Sequence, residues 1–426
     1  MKKLAAALLA AALLVLPAQA VSGAPTVDAA AAVLMEKETG AILYEQNAHD
    51  KLEPASVTKV MTLLLVLEAI DDGRLALDDM VTVSAHAASM GGSQVYLKEG
   101  EQMSVDDMLK AVAVVSGNDA AVALAEHLAG SEEGFVEQMN QRAAELGMAD
   151  TCFVNCTGLP AAGHLTSAHD IAVMSRALIQ HPKIRDYTTI WMDSIRGGQF
   201  QLANTNKLVR FYEGATGLKT GSTDAAGYCL SATAERDGME LIAVVLKAKT
   251  SEQRFESAKS LLNFGFANYT LTDVYPGQAL PPVDVLLGEQ DTVQPVLAQS
   301  SRILVDKAQL NDVTSELRLC ENVEAPVEQG QKLGEMVISV GGQEQQTIPI
   351  VADRAVARLT LPVFSPGSSK HCLWRNNPIE QGGSGNAAPP LRNLSKTPVR
   401  PIWEILHLLF HTCLDYVSIT LYNLYK

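Results

Sequence analysis

Basic charge is scarce in this chain: 33 Lys and Arg stand against 48 Asp and Glu, for a formal net charge of −15. Proteins that grip nucleic acid neutralise phosphates with basic faces, so a nucleic-acid partner is excluded. An anionic membrane surface is likewise not approached through charge. Metal-type cysteine spacing is also missing. Of Cys152, Cys156, Cys229, Cys320, Cys372 and Cys413, only the first two lie close together. No second Cys/His pair follows at zinc-site spacing, so no metal site is expected. The N-terminal apolar run, Leu4 to Leu16, is too short for a typical membrane span. It follows Lys2-Lys3 and precedes Ala18-Gln19-Ala20, so residues 1–20 read as a secretory signal cleaved near Val21. An uncleaved anchor is the competing reading, and both place the working part outside the cytoplasm. Export permits disulfides, but the Cys152/Cys156 spacing suits a bridge and two buried thiols equally.

With 426 residues the chain is too long for one ordinary core, and two or three domains are expected. Hydrophobic residues make up 47% and charged residues 19%, which fits a globular protein. Ala31 to Glu36 and Ala41 to Glu45 flank Thr39-Gly40 as a hairpin. Helices are expected from Val60 to Ile70, Met108 to Val115 after a capping box at Ser104-Val105-Asp106-Asp107, and Ala120 to Leu128 capped by Asp119. Further helices are expected from Glu132 to Leu146, Ala168 to Ile179, and Thr250 to about Phe266. Gly227 to Ala234 and Met239 to Leu246 flank Asp237-Gly238, a strong hairpin signal.

The first domain, 26–270, is therefore of the α/β (α+β) class, with helices around a central antiparallel sheet that the N-terminal strand pair rejoins. The composition changes near Tyr275-Pro276-Gly277, and short alternating stretches from Val283 to about Pro362 predict a small all-β domain over 275–364. A Gly/Ser/Asn/Pro-rich linker, 365–400, follows. In 401–426, Glu404, His407, His411, Asp415 and Ser418 form one polar stripe on an otherwise apolar helix. The stripe fits a helix lying at a membrane interface better than one crossing it, although it lacks the usual Lys and Arg. A packed amphipathic helix is the alternative.

The chemistry starts at Ser56-Val57-Thr58-Lys59, which opens the apolar run from Val60 to Ile70. Ser56 is expected at or near a helix N-terminus, where unpaired N–H groups favour negative charge on its oxygen. Lys59, three residues on, falls on the same helix face. A partly buried lysine of lowered pKa can take the serine proton. Alone, the pattern is no more than an N-cap followed by a surface lysine. Two further motifs follow in order, Ser116-x-Asn118 and Lys219-Thr220-Gly221, and the trio points to one shared cleft.

Residue type then assigns roles. Ser56 attacks a carbonyl, and Lys59 is the base. Ser116 passes protons between Lys59, Lys219 and the leaving amine. Asn118 holds Lys59 and a substrate amide. Lys219 supplies positive potential that lowers the neighbouring lysine pKa and attracts an anionic substrate, and Thr220 offers a hydroxyl to a carboxylate. Gly221 clears space for substrate to lie along the strand. The backbone N–H groups of Ser56 and Ser222 form an oxyanion hole. No cofactor or metal is called for.

These motifs resemble those of the low-molecular-mass penicillin-binding proteins, the serine-type D-alanyl-D-alanine carboxypeptidases. Pro54 to Thr62, Ser116 to Ala120, Phe153 to Pro160 with His164 and Thr166 to Asp170, and Gly217 to Gly221 all match family segments. The likeness runs from about Ala30 to Phe266. It implies a β-lactamase/penicillin-binding transpeptidase-like domain followed by a small β domain. It implies removal of the terminal D-alanine from peptidoglycan stem pentapeptides, and covalent inhibition by β-lactams. It also implies that Arg254, after the last sheet strand, helps to bind the terminal carboxylate. Where some relatives carry histidine after Lys-Thr-Gly, this chain has Ser222, which bears on substrate preference. Family members often end in an amphipathic anchoring helix, which supports the interfacial reading of the tail.

A β-lactamase on the same fold requires a water-activating carboxylate, and no Glu-x-x-x-Asn stands between Ser167 and Lys219. A D,D-endopeptidase shares all three motifs and is separable only by substrate. A non-catalytic penicillin sensor would tolerate loss of Lys59 or Lys219, and both are present.

Overall fold

In the computed structural model, residues 23–360 are described. The larger domain is built on a five-stranded antiparallel sheet. Its strands are β1 (Ala31–Glu36), β2 (Ile42–Gln46), β3 (Ala215–Thr223), β4 (Gly227–Arg236) and β5 (Met239–Ala248), in the order β2-β1-β5-β4-β3. β1 pairs with β5 from Ala31 opposite Leu246 to Glu36 opposite Leu241, so the N-terminal hairpin completes a sheet whose other strands come almost 180 residues later. Every residue of β1 is buried. Alternate side chains enter two different cores, which explains its unbroken apolar sequence. Val33 and Met35 join the core with the main helical layer, while Ala32 and Leu34 face Phe255, Ala258 and Leu261 of the last helix.

The helices are α1 (Lys59–Asp71), α2 (Val105–Val114), α3 (Asn118–Ala129), α4 (Glu132–Glu145), α5 (Ala168–Leu178) and α6 (Ser251–Asn268). α1 is apolar on nearly every side because it is buried from Lys59 to Leu67. Ser104 caps α2 by accepting from the Asp107 N–H, Ser167 caps α5 through Asp170 N–H, and Thr250 caps α6 through Gln253 N–H. Asp237 and Gly238 both take positive φ (51° and 73°), the backbone that a two-residue hairpin requires.

Three local readings differ from the structure. Asp119 does not cap α3, which begins at Asn118 with Gly117 as its cap. Its buried carboxylate instead accepts from the N–H groups of Val95 and Leu97, bolting down a loop far away in sequence. Two short hairpins, Met80–Thr82 with Gln102–Ser104 and Met192–Ile195 with Phe200–Ala203, decorate the helical layer. Strands of three or four residues carry too little alternation to be seen in sequence. Finally, Tyr269–Asp273 directly follows α6 and pairs antiparallel with Arg302–Asp306, so the chain enters the β domain's pairing before Tyr275-Pro276-Gly277.

The small domain is all β. A four-stranded antiparallel sheet runs in the order Pro295–Leu297, Gln343–Ala352, Lys332–Val340, Val313–Leu319. Its core is centred on Ile303, Met336, Ile338, Ile348 and Ile350. Arg302 ties this domain to the first, with one guanidinium nitrogen 3.2 Å from Glu38 and another donating to the Gly238 carbonyl. Cys152, Cys156, Cys229 and Cys320 are unpaired, which answers the Cys152/Cys156 question in favour of thiols, although only Cys156 of that pair is buried and Cys152 is exposed. The linker, the C-terminal stripe, Cys372, Cys413 and residues 1–20 lie outside the described residues.

Candidate active site

The cleft lies where the edge strand β3 meets the turn before α1. That turn, Ala55–Thr58, is a short 3-10 helix that runs directly into α1 at Lys59. Ala55, just before the serine, takes φ 49°, a left-handed conformation unfavourable for alanine that lifts Ser56 into the cleft. Gly221 stands opposite. A Cβ there would lie 2.8 Å from the Ser56 nitrogen and 2.8 Å from the Pro54 carbonyl. The glycine is therefore required by the approach of the nucleophile turn to the strand. This constraint comes in addition to the room that the missing side chain leaves for substrate along the strand. Gly158 makes a similar approach from the other side, at φ +81°, where a Cβ would collide with the Ala55 carbonyl.

Lys59 is fully buried, and its Nζ has three neighbours. It lies 3.0 Å from Ser56 Oγ, 2.6 Å from Asn118 Oδ1 and 2.8 Å from the Thr157 carbonyl. Burial pushes its pKa down to about 7, partly opposed by Cys156 and Asp119. The last two neighbours are acceptors only. A neutral amine has two N–H bonds and one lone pair, so these two acceptors take both hydrogens and turn the lone pair toward the Ser56 hydroxyl. In its neutral form the amine therefore faces the Ser56 hydroxyl with its lone pair.

Asn118 is held by two bonds. Its Nδ2 donates to the Gly91 carbonyl at 2.6 Å, and its backbone N–H donates to the Ser93 carbonyl at 2.7 Å. Gly92 has no room for a side chain, since a Cβ would sit 2.9 Å from that Nδ2. Ser116 is buried in a left-handed conformation (φ 66°), and its Oγ has no hydrogen-bond partner in the protein. A buried, strained hydroxyl without a partner is the mark of a functional site.

Lys219 is also fully buried, and its Nζ donates to the Thr220 carbonyl at 3.0 Å. Burial holds its pKa well below the usual lysine range, and the charges of Lys59 and Arg254 push the same way. This revises the electrostatic roles read from sequence: burial, rather than Lys219, is the main cause of the low Lys59 pKa. The Thr220 hydroxyl is 2.7 Å from that of Thr205, a residue that sequence reasoning missed. Ser222 is exposed near the end of the edge strand.

Arg254 is buried against Phe255 and Tyr228. Its guanidinium donates to the carbonyls of Gly221 and Cys229 and to Ser251 Oγ, leaving Nε without a partner. Burial lowers its pKa to about 10. It therefore braces the end of the Lys-Thr-Gly strand. Ser116 Oγ and Arg254 Nε remain buried without a hydrogen-bond partner.

Thr157 was also missed as a contributor, because a backbone carbonyl leaves no residue-type signal. His164, within a family-like segment, is structural. Val154 N–H donates to its Nδ1, so its Nε2–H donates to Thr58 Oγ1 at 2.8 Å. Burial lowers its pKa to about 4, so it stays neutral.

The order of motifs and this geometry agree with the comparisons. Residues 18–250 match the family described as D-alanyl-D-alanine carboxypeptidase, and residues 269–358 match the penicillin-binding protein 5 C-terminal domain. The chain belongs to the D-alanyl-D-alanine carboxypeptidase family. It is 42% identical to the D-alanyl-D-alanine carboxypeptidase DacF of Bacillus subtilis over 330 residues, covering 76% of this chain and 85% of that relative. Among solved structures, penicillin-binding protein 5 from Haemophilus influenzae superposes with a TM-score of 0.70 at 31% identity, covering 79% of this chain and 99% of that one. Penicillin-binding protein D2 from Listeria monocytogenes, in its ampicillin-bound form, aligns with a TM-score of 0.53 at 36% identity, covering 57% of this chain and 100% of that one. Arg254 of this family member lies just beyond the segment matched by the catalytic family.

Proposed function

We propose that the protein is a serine-type D-alanyl-D-alanine carboxypeptidase acting on peptidoglycan stem pentapeptides, with Ser56 as nucleophile and Lys59 as base. The observation that carries this reading is the Lys59 amine, whose two acceptor-only neighbours aim its lone pair at a hydroxyl 3.0 Å away. Lys59 takes the Ser56 proton as Oγ forms a bond to the penultimate D-alanine carbonyl carbon. The backbone N–H groups of Ser56 and Ser222 hold the oxyanion, each worth about 10²–10³ in rate. The C–N bond then breaks, and the leaving D-alanine amine takes up the proton held by Lys59, with Ser116, whose hydroxyl is free to rotate toward a bound substrate, as the proposed carrier. Water hydrolyses the acyl-enzyme to free the shortened peptide and restore Ser56.

The substrate lies as an added strand along the open edge of β3. Its terminal carboxylate faces Lys219, Thr220 and Arg254. A bound carboxylate compensates the charge that burial otherwise disfavours on Lys219, so that lysine is cationic when substrate is present. Lys219→Ala is therefore expected to raise KM about 10- to 100-fold for a peptide ending in free D-alanyl-D-alanine. The same peptide with an amidated C-terminus, a poor substrate from the outset, should lose much less. Steady-state kinetics on the pair checks this, and equal losses would remove the carboxylate role.

A β-lactam meets the same nucleophile, but its amine leaving group stays tethered in the product, and the acyl-enzyme persists. No Glu-x-x-x-Asn stands between Ser167 and Lys219 to activate a deacylating water, so slow release is expected rather than the rapid turnover of a β-lactamase.

The protein is further proposed to be exported and to work at the outer face of the membrane. Support comes from the Lys2-Lys3 start, the apolar run and Ala18-Gln19-Ala20, and from the single polar stripe in the otherwise apolar sequence of 401–426. Deleting residues 401–426 should shift the protein from the membrane pellet to the soluble fraction with D-alanine release unchanged. Retention in the pellet would remove the anchor.

A further inference from the structure

The loop Gly91–Leu97 does more than close the cleft. Its inner end meets Asn118 through the Gly91 and Ser93 carbonyls, and its outer end is fixed by Asp119 to the N–H groups of Val95 and Leu97. Between those two bolted positions stands Tyr96, 65% exposed and at φ 59°. A left-handed conformation is strained for a bulky aromatic residue, and here the fold imposes it in order to hold the ring outward. The ring meets Phe200 edge to face at a centroid distance of 6.3 Å. Arg196 lies over Phe200, donates to the Val95 carbonyl and pairs with Glu101, so both rings are fixed in place. Tyr96 and Phe200 border an open hollow of about 590 Å³ that is rimmed by Lys98, Glu99 and Gln199.

We infer that this hollow is a sugar subsite, holding the amino-sugar to which the stem peptide is attached. Fixed aromatic faces beside long polar side chains make the residue set that a pyranose needs. The apolar face of the sugar ring lies on an aromatic ring, and its hydroxyl and acetamide groups bond to the rim. Reach agrees with this assignment. Tyr96 lies three steps along the chain from Ser93, whose carbonyl accepts from the Asn118 N–H, which limits that separation to about 10 Å. A stem peptide spans about 10–14 Å between the scissile bond and the sugar. The hollow is bordered by the same loop whose Gly91 and Ser93 carbonyls hold Asn118, the residue bonded to Lys59.

The inference rests on the carboxypeptidase reading of the cleft, and the test keeps the two apart. D-alanine release by the full chain is measured on a disaccharide-linked pentapeptide and on the same pentapeptide with the disaccharide removed. Release from the free peptide tests the carboxypeptidase reading alone. The wild-type protein is expected to show a KM about tenfold lower for the sugar-bearing substrate, and Tyr96→Ala to abolish that difference while leaving free-peptide kinetics and penicillin acylation unchanged. Tyr96→Phe should retain most of the preference, because the ring face is kept, and Gln199→Ala should lose part of it. Wild-type protein that makes no distinction between the two substrates would overturn the proposal. So would a Tyr96→Ala loss that is equal on both, which would place the residue's role in holding the loop.

Discussion

Ser56→Ala is expected to fold normally and to lose both activities together. D-alanine release should fall on the order of 10⁶-fold, the scale seen when a catalytic serine is removed. The mass increase on incubation with benzylpenicillin should vanish entirely, since no other hydroxyl in the cleft has a base turned toward it. Ser116 is the nearest test of that statement. It is buried and unpartnered, but it carries no contact from the Lys59 amine. The substitution removes one half-buried hydroxyl and leaves the Ala55–Thr58 turn intact, so thermal stability should change by less than about 1 kcal/mol. Residual labelling of the alanine variant at another residue, located by peptide mapping, would reassign the nucleophile.

The second large effect concerns Lys59. Lys59→Ala should slow acylation by about 10²–10⁴-fold, the usual worth of a positioned base. It also leaves Asn118 Oδ1 and the Thr157 carbonyl without their donor in a buried site, so it should destabilise the domain by roughly 1–3 kcal/mol. Lys59→Arg isolates the base role. A guanidinium can still donate to both acceptors, but it does not deprotonate at accessible pH, and burial disfavours its charge as it does that of Lys59. The arginine variant should therefore fail to recover acylation. Chemical denaturation alongside penicillin-acylation kinetics reads both quantities on the same preparations, and recovery of acylation by arginine would exclude the base role.

How much of this was legible without coordinates depends on what kind of atom does the work. Ser56, Lys59 and Lys219 announce themselves because the chemistry demands their side chains at those spacings. The helix caps at Ser104, Ser167 and Thr250 and the turn at Asp237-Gly238 were readable because each rests on a local hydrogen bond or dihedral that only a few residue types supply. The Thr157 carbonyl was not, since any residue could offer it. Gly221 was noticed for substrate space alone: its second constraint comes from the backbone of Pro54 and Ser56, which only the folded chain brings near. Asp119 reads as a cap in sequence, yet its buried carboxylate is spent on the distant Val95–Leu97 loop. Arg254 was placed correctly beside the strand, but the carbonyls of Gly221 and Cys229 that it braces belong to tertiary structure. The five-residue strand Tyr269–Asp273 merges with the end of α6 and offers no turn signal to separate them.

The two halves of the site are thus linked by one physical fact. Burial makes both lysines poor cations when the cleft is empty, which readies Lys59 to accept a proton and leaves Lys219 in want of an anion. In the proposed mechanism, a peptide that ends in a carboxylate satisfies the second while the first acts through Ser56 on its carbonyl.

The pH dependence of acylation tests this most directly. Because burial lowers the Lys59 pKa to about 7, the neutral, basic form gains population as pH rises through 7 and dominates above it. The second-order rate of acylation by benzylpenicillin should therefore climb about tenfold per pH unit below 6 and level off above about 8, reporting the free-enzyme base. A rate that kept climbing tenfold per unit through pH 9, as an ordinary lysine would give, or one already flat at pH 5, would contradict the account.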